Sequence, residues 1–318
     1  MTNQTKVALK SLQERFSVNE MPSIHEKITF LMPVLQNFDN MSQIEQDEII
    51  LPIKKIVKED STNKEMQLLL ADLYFYSKKK EDAKIQYFNY LKIDKMRYQV
   101  WSSLMNIYSE QLKWDSLIDI TKQSIDFHPD QQLTYYYKGI AEMQLKQHEN
   151  AIHSLNIALK NSNNVPEFDA QIFSLLGDNY NETKKYKYSD SCYEEALSIN
   201  PNDATVLNNY AYYLSVRKER LNDAEKMSKK SLELDSNSGS FLDTYGWILY
   251  EKGDFEKAKT YIEKAISKTG EAERATLYEH LGDINIKLKD KENAIKNWKK
   301  ALELGGPNDS ISLKIKNE

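Results

Sequence analysis

A pattern of small and large apolar residues repeats along the chain about every 34 residues. A glycine or alanine recurs inside an apolar frame at Ala71, Gly139, Gly177, Ala211, Gly246 and Gly282. Alanine follows twelve residues after four of these positions, at Ala83, Ala151, Ala258 and Ala294. Two antiparallel helices approach closely only where a side chain is nearly absent. The spacing therefore predicts pairs of helices that touch at these small residues.

Bulky side chains surround each small position and complete the predicted helix pair. They stand early in the first helix at Trp101, Tyr135, Phe173 and Tyr278, and one to two turns after the small residue at Tyr74, Tyr108, Tyr180, Leu214 and Leu249. Pro129 and Pro201 end two of the periods. Together these positions predict an all-α chain of helix–turn–helix units.

The succession of Trp or Tyr, Leu, Gly or Ala, Tyr, Ala, Phe or Tyr, Ala and Pro at this period resembles the tetratricopeptide repeat. The resemblance implies a right-handed α-solenoid of about seven repeats with a helical N-terminal cap. We predict the units at 64–97, 98–131, 132–165, 170–203, 204–238, 239–272 and 275–308. Residues 309–318 remain as a C-terminal tail, which either closes that end or frays.

Two of the predicted units depart from the pattern. Met105 occupies the small position of the second unit, with Leu117 where alanine is usual, so we expect its helices to lie further apart. The third unit carries Glu142 where tyrosine is usual.

Residues 1–63 match the repeat less well, and we predict that they form the helical cap. The capping boxes SIHE at 23–26 and SQIE at 42–45 predict helix starts. Residues 51–63 look like the second helix of a degenerate unit.

The stretch NNYAYYL at 208–214 shows how the repeat sorts its side chains. With Ala211 as the close-contact residue, Tyr210 and Leu214 face the second helix and Tyr213 faces the preceding unit. The resemblance turns the other side of the helix towards an inner, concave surface, and that side carries Asn208, Asn209 and Tyr212.

The same helical spacing, applied to every unit, predicts a binding surface on the first helices. We call its candidate residues the binding stripe: Asp72, Asn106, Tyr136, Asp178, Asn208, Asn209, Tyr212, Asp243, Trp247, Tyr250, Glu279 and Asp283. All the positions on this surface together hold nine acids and a single cation, Lys287. A groove of one sign attracts partners of the opposite sign, which favours a neutral-to-basic peptide. The alternative is that the carboxylates only keep exposed helices soluble.

Tyr212 and Trp247 occupy equivalent places in adjacent units, and Tyr250 follows one turn after Trp247. Aromatic side chains presented in a groove are typical binding anchors. Packing of Trp247 between neighbouring first helices is the alternative interpretation.

The sequence argues against several kinds of function. A net charge of −5 and a pI near 5.7 argue against a nucleic-acid partner. The histidines of HENAIH at 148–153 are five residues apart and lie on different helix faces, so we predict neither a metal nor a cofactor. Cys192, the only cysteine, is expected to be a packing residue. The sequence contains no phosphate loop or nucleophile elbow, and we predict a protein that is not an enzyme.

Some chaperone-binding members of the family hold a partner's C-terminal carboxylate with lysines and arginines on the concave face. At the matching positions this chain has Asn106, Asn208 and Asn209 but no cations. A carboxylate would be repelled there, so the sequence disfavours a chaperone-tail adaptor.

These features predict a scaffold that binds a protein or peptide partner in an acidic, aromatic groove. The N-terminus MTNQTKVALKSLQERF lacks an apolar signal region, and no run long enough to span a membrane occurs, which indicates a cytoplasmic protein if Met1 is the native start. A self-associating structural module is one alternative.

A second alternative comes from the stretch LNNYAYYLS to LDTYGWILYEKGDFEKA. It resembles the final units of larger bacterial tetratricopeptide proteins, many of them exported or lipid-anchored. That resemblance implies a cell-envelope assembly or secretion accessory, located in the periplasm or at the envelope if the N-terminus is truncated.

Overall fold

A computed structural model describes residues 38–270 and 274–318 of the chain. The predicted capping box at 23–26 and most of the predicted N-terminal cap lie outside these residues. The described residues form sixteen α-helices and no strand, which confirms the all-α fold class. They divide into two compact units: unit 1 ends at Asn161 and unit 2 begins at Ser162.

Unit 1 opens with a short 3-10 helix, Phe38–Asn40, and continues as a row of α-helices joined by short turns. Its helices are α1 Gln43–Glu59, α2 Lys64–Tyr76, α3 Lys80–Ile93, α4 Tyr98–Glu110, α5 Trp114–Phe127, α6 Gln132–Gln144 and α7 His148–Lys160. The predicted capping box at 42–45 is confirmed, because the Ser42 backbone N–H donates to Glu45 at 2.7 Å and the Glu45 N–H donates back to Ser42 Oγ at 3.4 Å.

Unit 2 has the same organisation. Its helices are α8 Pro166–Glu182, α9 Tyr186–Ile199, α10 Ala204–Arg217, α11 Leu221–Leu234, α12 Gly239–Glu251, α13 Phe255–Lys268, α14 Ala275–Lys287, α15 Lys291–Glu303 and α16 Asn308–Asn317. Within each unit, the two helices of a hairpin pack on each other, and first helices also contact the first helix of the next hairpin. This is the stacking of an α-solenoid.

The small residues of the sequence pattern are the points where the two helices of a hairpin touch. Each helical glycine of the pattern faces the residue sixteen positions later: Gly139 faces Leu155, Gly177 faces Tyr193, Gly246 faces Ile262 and Gly282 faces Trp298. A Cβ on Gly282 would lie 2.4 Å from the Trp298 ring, and a Cβ on Gly177 would lie 2.8 Å from the Tyr193 ring. The glycine makes room for a large side chain on the opposite helix.

The two departures from the repeat pattern are each compensated by the opposite helix. Met105 is fully buried, and the residue sixteen positions later is the small Thr121, so the large and small partners have exchanged places. As expected from the sequence, α4 and α5 make less contact with each other than the helices of the other hairpins.

Glu142, which replaces the usual tyrosine, is buried in a polar network. Its Oε1 accepts from Lys138 Nζ at 2.7 Å, and its Oε2 accepts from Ser154 Oγ at 2.7 Å. Lys138 Nζ also donates to Ser154 Oγ at 2.9 Å. A buried carboxylate is tolerated here because both of its oxygens are hydrogen-bonded.

The turn inside each hairpin depends on one left-handed residue placed seven positions after the small residue. These residues are Lys78, Leu112, Lys146, Lys184, Lys218, Gly253 and Lys289, with φ between 54° and 86°. In the first turn the Lys79 N–H donates to the Tyr74 carbonyl at 2.9 Å, which satisfies the end of the helix. Lysine is suited to this place because a cation stabilises a helix C-terminus. The hairpin of Ala211 has one residue more than the others, since its next alanine, Ala224, follows after thirteen residues rather than twelve. A second left-handed residue, Arg220, accommodates this extra residue in the turn.

The close contact at Gly282 gives a stability prediction. We expect Gly282→Val to lower the free energy of unfolding by roughly 1–3 kcal/mol, because the new side chain would overlap the Trp298 ring. Urea denaturation followed by circular dichroism measures this change. Gly270→Val is the control, since no atom of the described residues lies within 4 Å of a Cβ at that position. Equal effects of the two substitutions would contradict the role given to the small residue.

Candidate protein-binding surface

Three residues of the binding stripe lie in unit 1 and nine lie in unit 2. Asp72, Asn106 and Tyr136 are half-buried on α2, α4 and α6, three successive first helices of unit 1. The Tyr136 ring lies edge-on to Tyr137, with ring centroids 5.9 Å apart. The other nine residues lie on the first helices of unit 2, α8, α10, α12 and α14, and most of these are connected to one another by direct contacts.

The central feature of unit 2 is a stack of three rings, His280, Trp247 and Tyr250, which we call the ring stack. The ring centroids of Trp247 and His280 are 4.2 Å apart, and those of Trp247 and Tyr250 are 4.7 Å apart; both pairs are within 24° of parallel. Asp243 fixes one end of the stack, because its Oδ1 lies 2.7 Å from His280 Nδ1. The stack therefore joins α12 to α14 and holds Trp247 in one orientation.

The carboxylates around His280 favour the protonated form of its imidazole. Burial by itself lowers the pKa of His280, but the carboxylate of Asp243, with Asp283 and Glu279 nearby, outweighs it and raises the pKa above its ordinary value. Burial and the carboxylate of Asp283 raise the pKa of Tyr250 to about 12.

Glu279 and Asp283 hold a lysine from the last helix. Lys314 of α16 donates from its Nζ to Glu279 Oε1 at 2.8 Å and to Asp283 Oδ2 at 2.7 Å. Burial lowers the pKa of Lys314, but these two hydrogen bonds outweigh it and raise the pKa above its ordinary value. Trp298 Nε1 also donates to Asp283, at 3.0 Å, so this carboxylate is used twice within the protein.

Three aspartates of the stripe share one internal contact. Each accepts a hydrogen bond from an aromatic side chain fifteen residues later on the second helix of the hairpin: Asp72 from Tyr87 at 2.7 Å, Asp178 from Tyr193, and Asp283 from Trp298 at 3.0 Å. The Tyr213 hydroxyl of the next hairpin also lowers the pKa of Asp178. Burial raises the pKa of Asp72 and of Asp178, while the tyrosine hydroxyls act in the opposite direction.

The internal partners reduce the acidity that the sequence predicted for this surface. Seven of its nine acids have a hydrogen-bonded or ion-paired partner inside the protein: Asp72, Glu110, Asp178, Asp243, Glu251, Glu279 and Asp283. Glu182, in contrast, is exposed at the end of α8. The potential of the stripe is therefore weaker than a count of carboxylates implies.

Tyr212 is the most exposed residue of the stripe in unit 2, with 37% of its surface accessible. Burial raises the pKa of its hydroxyl, and so do the carboxylates of Asp243 and Glu182. Tyr212 lies on α10, which packs against α12, the helix that carries Trp247 and Tyr250 of the ring stack.

Asn208 differs from the expectation of an accessible side chain, since only 7% of it is exposed. Leu68, at the equivalent place in unit 1, is equally buried, whereas Tyr136, Asp243 and Glu279 at the same place of other hairpins are half-buried. The Asn208 amide donates to Asn209 Oδ1 at 3.4 Å, and Asn209 is half-buried.

Two functional side chains of this surface escaped the sequence analysis. His280 falls at a position of the predicted surface, but a single histidine carries no recognisable pattern. Lys314 lies in the residues that we left as a tail. The spacing of Ile311, Lys314 and Ile315, which places all three on one face of a helix, is the signal that could have revealed it.

The remaining reactive side chains are arranged as packing or surface residues. Burial raises the pKa of Cys192 to about 11, so its thiol stays protonated at neutral pH. In the described part of the chain, no three His, Cys, Asp or Glu side chains converge as a metal site requires. Neither do the described helices include one with the length and hydrophobicity of a membrane span.

Comparison with known proteins identifies the repeat. Tetratricopeptide repeat family models match residues 192–226 in one case and residues 170–203, 240–267 and 275–304 in another. The structure aligns with a solved tetratricopeptide repeat protein from Parabacteroides merdae at a TM-score of 0.63 and 16% identity, over 80% of this chain and 97% of that one. The hairpin architecture and its surface define a protein–protein interaction scaffold, in a class of folds that is generally non-catalytic. The chain is a tetratricopeptide repeat protein.

Two relatives from Pseudomonas aeruginosa share part of the sequence. The chain is 30% identical over 122 residues to the type IV pilus assembly protein PilF, a match that covers 38% of this chain and 48% of PilF. It is also 30% identical over 87 residues to a TPR repeat-containing protein, covering 27% of this chain and 14% of that protein. The chain thus spans less than half of the length of either relative.

The environment of His280 predicts a pH-dependent contribution to stability. Because the folded pKa of His280 lies above its unfolded value of about 6.5, the protonated imidazole stabilises the folded state fully below that pH, and the contribution is lost as the pH rises through the folded pKa. We therefore expect His280→Gln to lower the free energy of unfolding more at about pH 5.5 than at about pH 8.5. Urea denaturation at both pH values measures this difference. His153→Gln, at an exposed position of α7, is the control. An equal effect of His280→Gln at both pH values would rule out the coupling.

Proposed function

We propose that unit 2 binds an extended or helical segment of a protein partner along the binding stripe, and that the segment is neutral to basic. The observation that carries this proposal is the exposed side chain of Tyr212 on α10, together with the ring stack of Trp247 and Tyr250 on the neighbouring helix α12. Trp247 and Tyr250 are half-buried and so remain partly accessible. Accessible aromatic side chains supply most of the energy in many protein interfaces, about 2 kcal/mol or more each when fully desolvated.

The internal contacts of the ring stack favour binding because they fix the anchor before the partner arrives. Trp247 is held between Tyr250 and His280, and His280 is held by Asp243. An anchor that is already ordered loses little side-chain entropy on binding. The contact between Asp243 and His280 therefore contributes to function by positioning the rings.

The charge of the partner follows from the acids that lie beside the anchors. Glu182 is exposed at the end of α8, and Asp243 lies 2.7 Å from His280 of the ring stack. The carboxylates of both residues raise the pKa of the Tyr212 hydroxyl. A carboxylate docked at this place would meet two negative groups, whereas a lysine, an arginine or a neutral polar side chain would be accepted. Because most of the other acids are paired internally, we expect apolar contact rather than charge to dominate the affinity.

Substitution of the anchors tests this proposal. In-cell crosslinking identifies the partner, and fluorescence anisotropy then measures binding of its labelled segment. We expect Tyr212→Ala and Trp247→Ala each to weaken the affinity about 30-fold, because each removes an anchor worth about 2 kcal/mol. Raising the salt concentration tenfold should weaken binding by less than either substitution.

Tyr188→Ala is the matched control for that experiment. Tyr188 is 64% exposed on α9, outside the binding stripe, so its loss should leave the affinity unchanged. Binding that tolerates both anchor substitutions but not Tyr188→Ala would move the site to the second helices.

A second candidate function is assembly of a cell-envelope structure. The similarity to PilF, whose name describes type IV pilus assembly, supports this placement. Cell fractionation together with mass spectrometry of the native N-terminus tests it. A chain recovered only from the cytoplasmic fraction, with Met1 as its first residue, would argue against an envelope role.

A further inference from the structure

The last described helix, α16, packs on α14 and α15 of unit 2 through side chains on one of its faces. Ile311 is fully buried in an apolar cluster with Ala294, Trp298 and Ala301 of α15. Three residues later, Lys314 reaches Glu279 and Asp283 of α14. Spacing of three residues places both side chains on the same side of a helix. Ile315, four residues after Ile311, also packs against this cluster. The helix is therefore held by two isoleucines and by one ammonium group between two carboxylates.

Beyond these contacts α16 is exposed and short. Leu313 is 59% accessible, and the helix contains ten residues. An isolated helix of this length is not stable in water, so its folding depends on the surface beneath it. The segment Gly305–Pro307 joins it to α15, and Gly305 has a φ of +87°, a backbone conformation that glycine adopts without strain. The attachment of α16 is thus confined to a small area and follows a glycine-rich connection.

Glu279 and Asp283 belong to the binding stripe that we assign to a neutral-to-basic partner. Lys314 has the chemistry that we assign to this partner. It presents an ammonium group to two stripe carboxylates, from a helix that also supplies an apolar anchor. In this position α16 covers the same groups that a lysine-bearing partner helix would use.

We propose that α16 is an exchangeable intramolecular occupant of this end of the stripe, and that a partner helix carrying an apolar residue three positions before a lysine binds there in its place. The proposal rests on the proposed function, because it assigns part of the same surface. It adds the kind of partner, a short amphipathic helix with an Ile-x-x-Lys face, and it adds an autoinhibitory contact that the partner must displace.

The tether determines how strongly α16 competes. A segment joined by a short linker acts at an effective concentration on the order of 1 mM. If a single short helix binds this surface with a dissociation constant of about 0.1 mM, the ratio of bound to detached α16 is about ten. A free helix of the same sequence should then bind the intact protein about tenfold more weakly than it binds a protein whose α16 has been detached.

The experiment uses the full chain and a fluorescein-labelled synthetic peptide with the sequence of residues 307–318. We expect Ile311→Asp, which places a charge in the apolar seat of α16, to bind the peptide about tenfold more tightly than the wild type in fluorescence anisotropy. Lys314→Ala, which leaves Ile311 in its seat, should give a smaller gain of about two- to fivefold. A peptide carrying Lys314→Ala should lose affinity for both variants.

Lys316→Ala is the matched control in both the protein and the peptide, because Lys316 is exposed on the same helix and should change neither affinity. Equal peptide affinities of wild type, Ile311→Asp and Lys314→Ala would overturn the proposal, and so would a peptide whose binding ignores the loss of its own Lys314. Should Ile311→Asp fail to fold by circular dichroism, Lys314→Ala with the two peptides decides the question.

These outcomes are separable from those of the proposed function. Partner binding that requires Trp247, together with peptide binding that is identical in all variants, would remove only the exchange of α16. Peptide exchange that depends on Lys314, together with a partner that tolerates Tyr212→Ala and Trp247→Ala, would remove only the anchor surface.

Discussion

The structure depends on the contact between a small residue of one helix and the side chain sixteen positions later on its partner. Where glycine stands in the first helix, the second can present a ring as large as Tyr193 or Trp298. In the hairpin of Met105 the large residue stands in the first helix, and the residue sixteen positions later, Thr121, is the small one; both are fully buried. The sum of the two volumes matters more than which helix carries the bulk, because hairpin interiors tolerate changes that conserve volume better than overpacking.

The same contact places the acids of the stripe. A residue directly after the small position lies beside the ring of the second helix, so an aspartate there meets the hydroxyl of Tyr87 or Tyr193, or the indole N–H of Trp298. These carboxylates join the two helices while remaining at the edge of the binding surface. A position that helical spacing assigns to the binding stripe thus has a structural role as well, because its carboxylate already accepts a hydrogen bond inside the protein.

Aromatic rings and one histidine organise what remains accessible. Asp243 holds His280, His280 supports Trp247, and Trp247 supports Tyr250, so residues of two neighbouring hairpins share one rigid element. Tyr212, on the neighbouring helix α10, is the most exposed residue of the stripe in unit 2. Lys314 of α16 completes the pairing of Glu279 and Asp283. The groups that we propose for partner binding are therefore already used within the protein.

The sequence alone determined the helical class, the repeat and the small contact positions, since these follow from periodicity and side-chain size, which are local properties. It also placed Tyr212, Trp247 and Tyr250 at stripe positions by helical spacing. Only the tertiary structure decided which stripe residues are accessible and which are already paired. Asn208 is buried although its spacing predicted an accessible side chain, and Lys314 lies more than thirty positions along the chain from Glu279. Such pairings depend on the distance between atoms of different helices, and no periodicity along a single chain encodes that distance.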